Sequence, residues 1–303
     1  MEKETKGYLF VILGASFLGT IGILARLIYL CEPDPLPVVT FRALIAFLLL
    51  FLFAIFVNPD WLRIKKRDFL FFGIYGLLSV SLCFLLFFYA LKYITVATAT
   101  ILLYTYPAFV VLLSRFFLGE EFTRAKILAL LLTFCGCVLV IQVYNPAEFN
   151  LKGIIYGLGA GLGAGLYSIF GKKGVARYSS FTVVTYALGF GSFFLLLMRG
   201  TRNLLSVNYP MVTWFWIFAL ALFSTLVGYS LYTRGLQYLE AGRAGIAATW
   251  EVVVASVLAF IIFGESLSAF QILGASLIFA GIVIIRIHPS KKIPEISSAS
   301  DSY

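Results

Sequence analysis

The chain has 303 residues, of which 61% are apolar and 12% charged, and its net charge is +9. Soluble domains carry about a quarter charged residues, so this composition excludes a water-soluble fold of the same size. The cations lie between apolar runs and not on one basic face, which excludes nucleic acid as a partner and assigns them to orientation in a bilayer.

A hydrocarbon core about 30 Å thick takes about 20 apolar residues per helix, and the apolar runs are read on that length. Lys3 and Lys6 precede the run 8–28, which is too long for a signal-peptide core and lacks a small-residue cleavage site, so it is the first span. Further spans are expected at 37–57, 69–91, 95–117 and 125–143. After the polar linker Asn145-Pro146-Ala147-Glu148 come 151–170, 179–198, 213–235, 243–263 and 268–287. Cys31, Cys83, Cys135 and Cys137 form no disulfide framework, and Cys-x-Cys without a nearby His is a poor metal site, so no metal is expected.

The second half repeats the first at a constant shift of 145 residues. Val38-Val39-Thr40-Phe41 lies over Val183-Val184-Thr185-Tyr186, Gly119-Glu120 over Gly264-Glu265, and Phe134 and Gly136 over Phe279 and Gly281. Two units follow, residues 1–144 and 151–288. Five is an odd number of spans, so the second unit enters the membrane from the opposite side and the repeats are inverted. The fold class expected is therefore an all-α integral membrane protein of ten transmembrane helices. Inverted repeats with a site at their interface are an architecture of secondary transporters.

Seventeen Lys and Arg residues fall on the amino-terminal side of this topology and five on the other. The positive-inside bias places both termini in the cytoplasm. The tail 289–303, with Ser297, Ser298 and Ser300, is expected to be a disordered cytoplasmic segment.

Ionisable residues inside spans are few, which narrows the chemistry. All four aspartates fall in loops or the tail and the single histidine is His288, so neither an aspartyl dyad nor a Ser-His-Asp triad can be assembled. No P-loop sequence exists. No catalytic residue and no cofactor is expected. Glu251 is the one acid placed inside a span, and a carboxyl there is costly unless neutralised, paired or wetted. It is a candidate for proton coupling or for binding a substrate amine, against a structural role in helix packing. Arg234 is the better-placed partner for it. Arg42, in span 2, is too far along the membrane normal for a direct bridge; it either binds a substrate carboxylate or snorkels outward.

Span 4 carries Tyr104, Tyr106 and Pro107, and the repeat overlays Tyr106 on Glu251. Proline frees a carbonyl and bends the helix where a cavity can take up the loose bond. Spans 4 and 9 are the expected cavity walls, with Tyr104, Tyr106, Trp250, Glu251 and Arg42 as candidate contacts. Gly161 and Gly165 in span 6 form a small-xxx-small face for close helix approach.

The stretch Ala247-Ala248-Thr249-Trp250-Glu251-Val252, Phe263-Gly264-Glu265 and Gly274-Ala275-Ser276 through Gly281 resembles the drug/metabolite transporter superfamily, in particular its EamA-type members. Val252 stands where the family usually has proline, and Tyr106 where the first copy often has glutamate. The resemblance implies carriers of amino acids and other metabolites, frequently outward. The function expected is an alternating-access exporter of small metabolites across the cytoplasmic membrane, working as a monomer or homodimer with the lipid bilayer as its surroundings. A passive channel or a non-transporting scaffold are the alternatives.

Overall fold

A computed structural model of the chain describes residues 2–30, 35–142, 150–199 and 207–288. The linker 145–148, the tail 289–303, Cys31, Asp34 and Arg202 lie outside them. Ten helices among the described residues are long and apolar enough to cross a membrane: α1 Glu2–Tyr29, α2 Leu36–Val57, α3 Lys66–Ala90, α4 Val96–Leu118, α5 Arg124–Ile141, α6 Leu151–Val175, α7 Ser180–Met198, α8 Met211–Tyr238, α9 Ala241–Phe263 and α10 Ala269–Ile287. Large apolar side chains such as Leu70, Phe116 and Phe56 face outward, as hydrocarbon surroundings require. Helix α6 outruns its expected end at residue 170. The charges of Lys172-Lys173 do not stop it, because the Lys172 ammonium turns inward and donates to the carbonyls of Leu236 (2.7 Å) and Leu239 (2.8 Å).

The 145-residue shift relates irregularities as well as letters. Helix α4 is interrupted at Tyr104-Thr105, giving α4a Val96–Leu103 and α4b Tyr106–Leu118; α9 is interrupted at Thr249, giving α9a Ala241–Ala248 and α9b Trp250–Phe263. Pro107, second in α4b, has no N–H to give to the preceding turn, which fixes that break. Thr105 and Thr249 hydroxyls bond back to the carbonyls of Leu102 and Ile246 and take up the loosened backbone at each break. Helices α3 and α8 each widen to a π-helical stretch, Gly76–Leu82 and Leu220–Gly228, again at matching positions.

One contact maps onto itself under the repeat. A Cβ on Gly136 would stand 2.6 Å from the Gly274 carbonyl, and one on Gly281 would stand 2.9 Å from the Ala129 carbonyl. Gly136 matches Gly281 and Ala129 matches Gly274, so α5 and α10 meet through the same surface from each side, as at a two-fold axis. Helix α6 lies against the α4 break: a Cβ on Gly161 would meet Thr105 Oγ1 at 2.7 Å, and one on Gly165 the Phe109 Cβ at 2.9 Å. Packing this close needs glycine.

Candidate functional site

The breaks in α4 and α9 open onto one cavity of about 880 Å³ between the two units. Its wall is mostly apolar and aromatic, with Phe84, Phe87 and Phe88 from α3 and Tyr229 and Tyr232 from α8. Tyr104, Tyr106, Arg42 and Glu251 all line it, so four of the five expected contacts are brought together. Glu251 follows the α9 break directly, in the first turn of α9b, where the helix dipole favours negative charge. Tyr104, from the equivalent break, lies within electrostatic reach of it.

Two expectations are corrected. Trp250 is not among the residues that line the cavity; it lines an adjoining groove with Val253 and Val257, because it precedes Glu251 in the same helix α9b and so lies about 100° round its axis. Among the described residues no ion pair joins Glu251 to Arg234; Glu251 faces Tyr104 instead. Arg42 and Glu251 make no bridge either, and Tyr229 lies within electrostatic reach of both. Arg42 is buried in the wall with its guanidinium over the Phe84 ring at 4.7 Å.

At the face where α1 begins and α10 ends, hereafter the terminal face, the cavity is closed by paired charges. Lys126, only 1% exposed, binds Glu120 (3.3 Å) and Glu240 (2.9 Å). Arg243 binds Glu240 (3.1 Å) and Glu4 (3.0 Å), and donates to the carbonyls of Ile285 and His288. The Glu120 carboxylate also accepts the N–H groups of Ala241 (2.5 Å) and Gly242 (3.0 Å), capping α9a. Burying these ions is offset only by their complete pairing. The cluster draws on α1, α5, α9, the end of α10 and the loops before α5 and α9, and so joins both units.

The opposite rim is built differently. Glu265, the repeat counterpart of Glu120, pairs with Arg26, and each is about half exposed. Helix α9a packs on α4b through Gly242 and Gly245 against Val110, Val111 and Ser114. Their counterparts α4a and α9b stand apart and line the cavity with Val96, Thr100, Ala255 and Ala259. The cavity therefore opens away from the termini.

Sequence reasoning missed the closing cluster, since Lys126 and Arg243 read as ordinary orientation charges and Glu120 as a marker of the repeat. Glu240 and Arg243, three apart across a helix start and matched by Thr95 and Thr98 in the other copy, were the available signal.

A model of the EamA-like transporter family matches residues 5–142 and again 151–287. An "Uncharacterized transporter" of Archaeoglobus fulgidus is 29% identical over 279 residues, covering 90% of this chain and 94% of its own. The "Uncharacterized inner membrane transporter YicL" of Salmonella typhimurium is 26% identical, covering 96% and 99%. A "Probable terminal-alkyne amino-acid exporter" of Streptantibioticus cattleyicolor is 25% identical, covering 74% and 75%. A solved crystal structure superimposes with a TM-score of 0.80 at 18% identity, over 92% of this chain and 96% of that one, and shares the fold.

Proposed function

The chain belongs to the EamA-like transporter family, and from that premise we propose that it is a secondary-active exporter of small metabolites such as amino acids, working by alternating access. The observation that carries the mechanism is the unequal contact of equivalent halves: α9a on α4b is closed, α4a from α9b is open. Because the two units repeat one another, swapping their arrangements yields the mirror state, closed outside and open at the terminal face. In that state Glu265 releases Arg26 and caps the N–H groups of Val96 and Ala97, as Glu120 now caps Ala241 and Gly242.

The basic bias supports a cytoplasmic terminal face in a cell-membrane protein, and on that reading the described state is outward-open. A single chain encloses the cavity, so a monomer suffices, and no cofactor enters the scheme. Glu251, beside Tyr104 at the cavity wall, is assigned the coupling proton or a substrate amine; Pro107, Gly161 and Gly165 hold the hinge region of α4 against α6. Substrate exchange by purified protein in liposomes, screened with labelled amino acids and related metabolites, tests the reading. Glu251→Gln keeps the shape but removes the charge and the titrating proton. A charge-assisted hydrogen bond is worth about 1.5–3 kcal/mol, so exchange should fall by roughly ten-fold or more and lose its dependence on pH. Equal rates in the variant at every pH would remove Glu251 from the mechanism.

A further inference from the structure

Arg42 is a buried cation with no ion pair among the described residues. It is 6% exposed, sits within α2, and among the described residues its Nε has no hydrogen-bond partner. Tyr229, Tyr29 and Cys83 lie within electrostatic reach of it, and none of them carries a carboxylate. An unpaired charge at this depth is costly, and every other buried Arg or Lys described above is fully paired. The Phe84 ring covers one guanidinium face, which leaves the in-plane N–H edge free for a planar, two-oxygen acceptor.

A second orphan lies on the same wall. Ser79 is 4% exposed, its hydroxyl has no partner among the described residues, and it too lines the cavity. Its neighbour Ser81 is spent on the carbonyls of Gly76 and Gly191, so the contrast is not one of local chemistry. Ser79 belongs to the π-helical stretch of α3, and Cys83, four residues on, reaches Arg42.

Resting on the carrier reading above, we propose that Arg42 and Ser79 form an anion subsite that receives the carboxylate of the transported solute, making small organic carboxylates the substrate class. The Arg42 guanidinium donates to the carboxylate oxygens, Ser79 donates from the α3 side, and Phe84, Phe87 and Phe88 take the apolar part. Glu251 lines the same cavity and, without an ion pair among the described residues, remains available for an amine on the same solute.

Benzoate and its neutral isostere benzamide test the subsite by thermal denaturation and tryptophan fluorescence of the purified full chain at constant ionic strength. Benzoate should bind saturably and raise the melting temperature, benzamide should do neither, and Arg42→Gln should weaken benzoate at least ten-fold while Arg42→Lys retains part of the effect. Arg42→Gln should itself melt no lower than the wild type, since it removes an uncompensated charge; a structural arginine would give a clear drop. No benzoate effect at saturating millimolar levels, or an equal effect in Arg42→Gln, overturns the proposal. Benzoate bound at Arg42 without exchange of any solute would leave the subsite standing and remove the carrier reading. Undiminished carboxylate exchange by Arg42→Gln in liposomes would do the reverse.

Discussion

Oxidation of a Val110→Cys/Gly245→Cys variant is expected to stop solute exchange completely, and reduction to restore it. A Cβ on Gly245 stands 3.3 Å from the Val110 Cβ, close to the 3.5–4.5 Å spacing of a disulfide. The bond would join α4b to α9a across the closed terminal face. It adds nothing to the cavity, where neither residue's counterpart contact is touched, so substrate binding should survive while exchange is lost. The experiment needs the native cysteines replaced, since Cys83, Cys135 and Cys137 are all free. Full exchange after quantitative cross-linking would mean that the terminal face need not open.

The second large effect is on stability. Lys126→Met removes the cation shared by Glu120 and Glu240 and leaves two buried carboxylates with one counter-ion fewer. Breaking such a pair by deleting one partner costs about 3–5 kcal/mol, whereas replacing both partners costs far less. Lys126→Met should therefore unfold much earlier in denaturant, and adding Glu240→Gln should recover part of the loss. Because the cluster holds only the closed arrangement, the single variant should also favour opening of the terminal face. A loss below about 1 kcal/mol would place these charges in water and not in a plug.

The ten spans and the duplication were legible because both are written in local sequence: apolar runs of bilayer length, and a gapless register carrying Gly119-Glu120 onto Gly264-Glu265. The EamA-type resemblance covers nearly the whole chain and is most specific over residues 244–281, and the family match spans both units. What stayed hidden depends on distant segments meeting. Lys126 and Glu240 are 114 positions apart, and nothing local to either signals burial. The π-helical stretches of α3 and α8 leave hydropathy unchanged and so left no trace in it. Trp250 was misplaced because consecutive residues of one helix lie about 100° apart around its axis, so sharing a depth with Glu251 does not give it the same face. Glu251 was placed near Arg234 by depth alone, and depth says nothing about which helix face points inward.

The central claim is that the two units exchange conformations, and its most direct measurement is the mirror cross-link. The repeat carries Val110 onto Ala255 and Gly245 onto Thr100, both of which now line the open cavity. In a cysteine-free background, Thr100→Cys/Ala255→Cys should form a disulfide during turnover, more quickly when Lys126→Met favours the mirror state, and should not form once Val110→Cys and Gly245→Cys are already joined. Sustained exchange of solute by a protein whose residues 100 and 255 never become cross-linkable would contradict alternating access by exchange of the repeats.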